Sequence, residues 1–127
     1  MSMNNKKLLI VEDDLVLQKA LSEYLTMEGF EVRCAGDGEV GVQMAFEDKP
    51  DLILLDIVLP KKDGYAVLTE VRADERTKHV PIVLLTNLGS ISDVEKALEL
   101  GATTYLVKAD YKLEEVTAKI KEILSIK

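Results

Sequence analysis

Four short apolar segments of this 127-residue chain each end in a side chain that could do chemistry. Residues 8–11 are followed by Glu12, Asp13 and Asp14, residues 52–55 by Asp56, residues 83–85 by Thr86, and residues 105–107 by Lys108. If these segments are neighbouring parallel strands, their carboxyl ends meet at one edge of a sheet, where open parallel sheets bind ligands. The pattern therefore predicts one site that combines carboxylates, a hydroxyl and an amine.

Carboxylates that converge at one sheet edge repel each other, so such a site needs a raised pKa on one of them or a bound cation. Oxygen ligands suit Mg²⁺, a small hard ion that keeps several of its waters. An Asp at such a site can act as a nucleophile toward a phosphoryl group and form an aspartyl phosphate. Mg²⁺ and the Lys108 ammonium would neutralise the phosphoryl oxygens, and Thr86 could donate its hydroxyl to one of them. We therefore predict a Mg²⁺ site suited to phosphoryl transfer.

The elements that must position these groups follow from the hydrophobic pattern. Apolar segments alternate with stretches of helical periodicity, which predicts five strand–helix units. The predicted strands are Lys7–Val11, Glu31–Ala35, Leu52–Asp56, Ile82–Thr86 and Thr104–Val107. Strands one, three and four are apolar almost throughout, as expected of strands covered by helices on both faces. Right-handed crossovers then favour a doubly wound, three-layer α/β sandwich with a five-stranded parallel sheet flanked by five helices. The order 2-1-3-4-5, the flavodoxin-like form, is one of its two common strand orders, and it places Glu12 and Asp13 beside Asp56.

Polar and glycine residues predict where the helices begin and end. Asp14 and Asp37 are placed as N-caps of the first two helices, and Gly29 as the stop of the first. Ser92 and Glu95 have the spacing of a capping box, which predicts that the fourth helix opens at Ser92. For Asp14 we therefore favour a capping role over a place in the site.

Composition excludes several classes of protein. The 47% hydrophobic content fits one compact domain, and the net charge of −7 disfavours contact with nucleic acid and anionic membranes. No apolar segment approaches the roughly 20 residues of a membrane helix, and the amino terminus does not resemble a signal peptide. The lone Cys34 cannot form an internal disulfide and reads as a buried strand residue. We expect a single cytoplasmic domain over residues 4–127, with no direct nucleic-acid or membrane binding.

Together these motifs resemble the receiver domains of two-component response regulators. The resemblance covers essentially the whole chain and rests on motifs in the same order as in that family. They are Val11-Glu12-Asp13, Asp56 with Leu59-Pro60 and Asp63-Gly64, Leu85-Thr86, and Gly101-Ala102 through Tyr105 to Lys108. Each motif alone is weakly specific, but their order and their positions at strand ends make the set strongly so.

The resemblance implies how the site works. Asp56 would accept a phosphoryl group from a phosphohistidine of a sensor histidine kinase or a histidine phosphotransfer protein. Asp13 and Asp56 would bind Mg²⁺ directly, Glu12 through water, and the backbone carbonyl of Val58 would complete the protein ligands. Such a domain is a signalling switch that assists its own phosphorylation and dephosphorylation, rather than an enzyme.

The resemblance also implies an output. Thr86 would move toward the phosphate, Tyr105 would swing inward behind it, and the face formed by helix four, strand five and helix five would control partner binding. Because the chain stops after the fifth helix, we expect no effector domain within it and a downstream protein target. It could be an adaptor, a phosphorelay intermediate or one domain of a longer protein, as a monomer or a phosphorylation-dependent dimer.

Four positions depart from the family pattern: Val58, Asn87, Leu88 and Ala109. Ala109 replaces the proline that usually follows the lysine, which leaves the choice between a cis and a trans peptide open. Asn87 could narrow access to the phosphate or donate a hydrogen bond to it. Val58 and Leu88 flank the path of the hydrolytic water in this family, and neither can orient that water by hydrogen bonding. We therefore expect a comparatively long-lived phosphoryl group.

Two other functions remain open at this stage. One is a Mg²⁺-dependent phosphatase with an aspartyl-phosphate intermediate, although such enzymes commonly need a second acid where Val58 stands. The other is a flavin-binding electron-transfer protein, although the loop after strand one is acidic where a flavin phosphate needs Ser, Thr and Gly. We also expect an exposed, non-functional His79 and a docking rim of apolar residues around the site, formed by Leu15, Leu59, Leu88 and Tyr111.

Overall fold

The five strands and five helices alternate along the chain as predicted. The structure is a computed structural model that describes residues 5–86, 91–108 and 112–125. The strands are β1 (Lys7–Val11), β2 (Glu31–Ala35), β3 (Leu52–Asp56), β4 (Ile82–Thr86) and β5 (Thr104–Val107). The helices are α1 (Leu15–Met27), α2 (Gly38–Asp48), α3 (Gly64–Ala73), α4 (Ile91–Glu99) and α5 (Leu113–Ile123). All five predicted strands are confirmed with their bounds.

All strand pairs are parallel and the sheet order is β2-β1-β3-β4-β5, which confirms the predicted doubly wound fold. Alternate residues of the central strands point to opposite faces, as the pleat requires. Leu9 and Ile53 join a core with residues of α2, α3 and α4, whereas Leu8 and Leu54 join a second core with residues of α1 and α5. These two cores make the three-layer sandwich.

The edge strand β2 is less covered than its sequence suggests. Cys34 is half-buried, so the prediction of a buried residue is wrong. The reason is that β2 has only one neighbouring strand, β1, so part of its surface stays open to solvent. Burial raises the pKa of the Cys34 thiol, and a hydrogen bond with Ser22 opposes that rise. A largely protonated thiol is therefore expected at neutral pH.

Three of the predicted helix boundaries are confirmed. The Asp14 side chain accepts hydrogen bonds from the amides of residues 16 and 17, and Asp37 accepts one from residue 40. Gly29 follows α1 with a φ of 97°, which glycine adopts readily. The predicted opening at Ser92 is wrong by one residue, because α4 begins at Ile91 and Ser92 therefore lies within its first turn. Within the described parts of the chain, no helix is long and apolar enough to cross a membrane.

Candidate functional site

The pairing of β1 with β3 brings the acidic groups together at the carboxyl edge of the sheet. Val11 is in register with Leu55, so the residues that follow, Glu12 and Asp56, emerge side by side. Glu12, Asp13 and Asp56 each offer a carboxylate oxygen, and these oxygens lie within 4.8 Å of one another. The strand order thus produces the convergence that the sequence predicted.

The three carboxylates have different environments. Glu12 is fully buried, Asp56 is largely buried and Asp13 is exposed. The Glu12 amide donates to the carbonyl of Ala35 over 3.0 Å, and its Oε2 accepts from the Asp14 amide over 3.1 Å. Burial raises the pKa of Glu12, and contacts with Lys108 and the Asp14 amide oppose that rise. Glu12 is therefore the fixed member of the cluster, and Asp13 is the one open to solvent.

Lys108 supplies the countercharge at this edge. Its Nζ lies 2.6 Å from Glu12 Oε1 and 2.9 Å from Asp56 Oδ2, with only 14% of the side chain exposed. Because β4 separates β5 from β3, the long lysine stem has to pass the end of β4 to reach Asp56. Burial lowers the pKa of Lys108, but the contacts with both carboxylates outweigh burial and raise it overall. Lys108 is therefore a charged ammonium that bridges two acids.

The other three residues that the sequence assigned to the site differ in their distance from the carboxyl edge of the sheet. They are Thr86, Tyr105 and Val58. Thr86 ends β4 and is in register with Val107, so its backbone reaches the same edge as Asp56. Tyr105 lies within β5, below that edge, and its side chain is 43% exposed. Val58 lies in the loop after Asp56 with its side chain 78% exposed. The structure thus brings Glu12, Asp13, Asp56 and Lys108 together, with Thr86 at the same edge and Tyr105 turned outward.

Two contacts that hold the site were missed by the sequence reasoning. The Gln18 side chain donates to the carbonyl of Glu12 over 2.9 Å, which ties the acidic loop to α1. Gly64 donates its amide to Ile57 over 2.7 Å, and a Cβ at Gly64 would lie 2.5 Å from the carbonyl oxygen of Asp56. The signals were present, because Gln18 stands one helical turn after the Asp14 cap and Gly64 directly follows Asp63, the N-cap of α3.

The predicted apolar rim is only partly correct. Leu15 is exposed, but Leu59 is buried in the core beneath α2 and α3, so it is not a rim residue. The chain turns inward after Val58, which exposes Val58 in its place. His79 is exposed, as predicted. The remaining positions singled out from the sequence lie outside the described residues: Asn87, Leu88, Ala109 with the peptide that precedes it, and Tyr111.

Known proteins resemble this chain over nearly its whole length. The family model of the response regulator receiver domain matches residues 8–121. The DNA-binding dual master transcriptional regulator RpaA of Synechocystis is 40% identical over 118 residues, which are 93% of this chain and 48% of that protein. The transcriptional regulatory protein CpxR of Klebsiella pneumoniae is 43% identical over 118 residues, 93% of this chain and 49% of that protein.

Solved structures agree with the sequence relatives. A response regulator from Chloroflexus aurantiacus has a TM-score of 0.88 and 37% identity, covering 96% of this chain and 99% of that one. The receiver domain of a Pseudomonas aeruginosa sensor histidine kinase, described with a magnesium ion coordinated in its active-site cleft, has a TM-score of 0.85 and 34% identity, covering 93% of this chain and 96% of that one.

These relatives also qualify one expectation. The chain spans about half the length of the curated relatives it matches, and those relatives are named as transcriptional regulators. The expected absence of direct nucleic-acid binding is therefore not supported, since a negative charge on these 127 residues says nothing of the other half of such a protein. The fold, the motifs and the family model nevertheless agree. This chain belongs to the response regulator receiver domain family.

Proposed function

We propose that this chain is a phosphorylation-dependent switch in which Asp56 takes a phosphoryl group from a phosphohistidine of a partner kinase or phosphotransfer protein. The observation that carries the proposal is the contact of the Lys108 ammonium with both Glu12 and Asp56 beside a cluster of three carboxylates. A nucleophilic carboxylate, a fixed cation and a cation-binding cluster are the parts that phosphoryl transfer to an Asp requires. Residues 4–127 would form one receiver domain.

The transfer step uses Asp56 as the nucleophile. One of its carboxylate oxygens attacks phosphorus, an O–P bond forms, and the P–N bond of the phosphohistidine breaks. The bonding electron pair stays on the imidazole nitrogen of the donor, which takes up a proton. Lys108 stays protonated throughout, because its pKa is raised by its contacts with Glu12 and Asp56 despite burial, and it offers its charge to the transferred phosphoryl oxygens.

The carboxylate cluster fits a divalent cation of the magnesium type. Its ligand atoms are all oxygens, they lie close enough to share one ion, and Asp13 is open to solvent so that the ion can keep waters. We assign Glu12, Asp13, Asp56 and the Val58 backbone carbonyl as the groups that would hold it. When bound, Mg²⁺ supplies positive charge to the phosphoryl oxygens. The magnesium described in the Pseudomonas receiver domain supports this assignment.

The response to phosphate would involve Thr86 and Tyr105. Thr86 would satisfy a phosphoryl oxygen, and Tyr105, whose side chain now faces solvent, would turn inward behind it. The phosphoryl group would thereby favour one of two arrangements of the face formed by α4, β5 and α5. A downstream protein target reads that face, with the chain as a monomer or as a dimer that forms on phosphorylation.

The phosphodonor would dock beside the acids. Leu15, Val16 and Val58 are 71%, 81% and 78% exposed, and each lies within two residues of Asp14 or Asp56, past the carboxyl ends of β1 and β3. Exposed apolar side chains next to a polar site are typical of protein docking surfaces. This set shares Leu15 with the rim that the sequence predicted and has Val16 and Val58 where that rim had the buried Leu59.

The proposal is tested by mass measurement after incubation with acetyl phosphate, with and without Mg²⁺. The wild-type protein should gain one phosphoryl group in a Mg²⁺-dependent manner, and Asp56→Asn should gain none. Asp51→Asn is the matched control, because Asp51 precedes the same strand at its opposite end, where its carboxylate accepts from the Lys7 amide. Equal labelling of Asp56→Asn would refute the assignment. Steady release of phosphate without a labelled protein would favour the phosphatase instead.

A further inference from the structure

Gly38, the first residue of α2, touches the backbone of the loop that follows Asp56. Its amide donates to the carbonyl of Pro60 over 3.3 Å. A Cβ at this position would overlap the carbonyl oxygen of Lys62 and lie 2.6 Å from the carbonyl carbon. Because these are backbone atoms, no change of side-chain rotamer could relieve the overlap. Any side chain at Gly38 must therefore displace either the loop or the helix.

The second half of this loop is held from two sides, by α2 and by α3. Near α2, the Lys61 ammonium lies 3.8 Å from the Asp37 carboxylate, and near α3 the Lys62 ammonium pairs with Glu70. At the loop's exit, Gly64 packs directly on the carbonyl of Asp56. Residues 60–62 are thus held between the N-terminus of α2 and the side of α3, so a displacement caused at Gly38 would act on a short, restrained segment after Asp56.

The other glycines of this region lack that contact. A Cβ at Gly36 would meet nothing within 4 Å, and the atoms nearest to one at Gly41 belong to the side chain of Val11, at 2.8 Å, rather than to a backbone. Of the three glycines between β2 and the second turn of α2, Gly38 is therefore the one that sets the distance between α2 and the loop after Asp56.

We propose that Gly38 is a positioning residue for the phosphoacceptor site. Its missing side chain lets α2 hold residues 57–63 where the Val58 carbonyl can join the carboxylates of Glu12, Asp13 and Asp56. This inference rests on the proposed function, since it concerns the cation and phosphoryl site assigned there. Gly38→Ala would shift the loop by roughly 1 Å, and misplacements of that size can cost about 100-fold in activity.

The test compares Gly38→Ala with Gly36→Ala, which adds the same methyl group where there is space. Calorimetric titration should show Mg²⁺ binding weakened by about 10- to 100-fold in Gly38→Ala, as for other groups that support metal ligands, and changed by less than about twofold in Gly36→Ala. Phosphorylation by acetyl phosphate should slow in parallel. If Gly38 only served to dock α2, urea unfolding would show lower stability while the folded protein bound Mg²⁺ normally, and the inference would be wrong.

A second measurement covers the case in which Gly38→Ala does not fold. If the contact of Gly38 with the loop favours the metal-binding position of the loop, Mg²⁺ must in turn stabilise that contact, because linkage is reciprocal. In the wild-type protein, Mg²⁺ should slow hydrogen exchange of the Gly38 amide, which is bonded to Pro60, severalfold. It should leave the Lys49 amide, bonded to Ala45 at the other end of α2, unchanged. Unchanged exchange at Gly38 would overturn the inference.

The two proposals fail in different ways. A wild-type protein that neither binds Mg²⁺ nor gains a phosphoryl group would overturn the proposed function and this inference with it. A wild-type protein that does both, beside a Gly38→Ala variant that does both equally well, would overturn the role of Gly38 alone.

Discussion

The half of the sheet that carries the acids is held far more firmly than the half that would carry the response. All five residues of β3 are buried, whereas every residue of β5 is at least partly exposed. Among its described residues, α4 buries only Val94 and Ala97. Chemistry needs groups held to a fraction of an ångström, and a switch needs an element that moves at low cost. The uneven packing serves both needs in one small sheet.

Lys108 is the physical link between these halves. It follows β5, yet its ammonium contacts Glu12 and Asp56 on the firmly held side. A change in charge at Asp56 therefore acts on the end of the loosely packed strand through one side chain. This would give the proposed switch a direct electrostatic route that does not require the buried strands to move.

The largest expected effect is on the free energy of unfolding, when one core leucine is truncated in each half of the sheet. Leu54→Ala in β3 should lower the free energy of unfolding by about 3 to 4 kcal/mol, because it leaves a cavity in a fully buried position. Leu106→Ala in β5, where the leucine is only half-buried, should cost about half as much. Urea denaturation measures both. Equal losses would show that the two halves are equally well packed and would remove the contrast.

The next effect is the loss of stability when either of two ion-paired lysines is replaced. Lys108→Met in Mg²⁺-free buffer should cost about 3 kcal/mol, because it leaves buried Glu12 without its cation. The control is Lys121→Met, which breaks a 3.0 Å pair with Glu28 in which both side chains are about a third exposed, and which should cost less than about 1 kcal/mol. Denaturation under the same conditions compares them. A cost for Lys108→Met as small as that of the control would contradict the bridging role.

Features that depend on one strand or one helix could be predicted from the sequence. Buried strands read as continuous apolar segments, so β1, β3 and β4 could be predicted, and the order 2-1-3-4-5 is one of the two common orders of a doubly wound sheet. That order alone brings Glu12 beside Asp56. Helix caps at Asp14 and Asp37 are equally local, since each carboxylate bonds to amides two or three residues away.

Features that depend on two distant segments could not be predicted. Leu59 turns into the core because residues of α2 and α3 leave room for it, and nothing in its own neighbourhood shows this. The contact of Gly38 with Lys62 joins the start of α2 to the loop after β3, and these segments meet only in the folded chain. Ser92 matched a capping pattern, but the helix begins one residue earlier, and a short motif cannot exclude such a shift.

A smaller effect is expected on the lifetime of the phosphoryl group, from a substitution beside Asp56 in the firmly held half of the sheet. Val58→Asn places a hydrogen-bonding amide on the exposed loop after Asp56, and it should speed loss of the phosphoryl group by about tenfold, since one hydrogen bond to the attacking water is worth about 1.4 kcal/mol. Met27→Gln, at the exposed far end of α1, is the control and should leave the lifetime unchanged. Timed mass measurements compare them. An unchanged lifetime in Val58→Asn would contradict the expectation of a long-lived phosphoryl group.

The smallest effect concerns the tie between α3 and α4. The Tyr65 hydroxyl donates to the carbonyl of Asp93 over 3.2 Å, and the Lys96 ammonium lies 4.3 Å from the centre of the Tyr65 ring. Tyr65→Phe removes the hydrogen bond but keeps the ring, and Lys96→Gln removes the cation but keeps the hydroxyl. Each should weaken local protection of α4 by about 0.5 kcal/mol, a roughly twofold faster amide exchange.

That twofold change tests whether α4 opens to amide exchange independently of α2. Because few of the described side chains of α4 are buried, loss of one surface contact should reach its amides directly, while the amides of α2 should exchange as in the wild type. Exchange measured residue by residue separates the two helices. If Tyr65→Phe loosened α2 as much as α4, the contact would support the whole fold, and the looseness of the responding half would have to come from β5 instead.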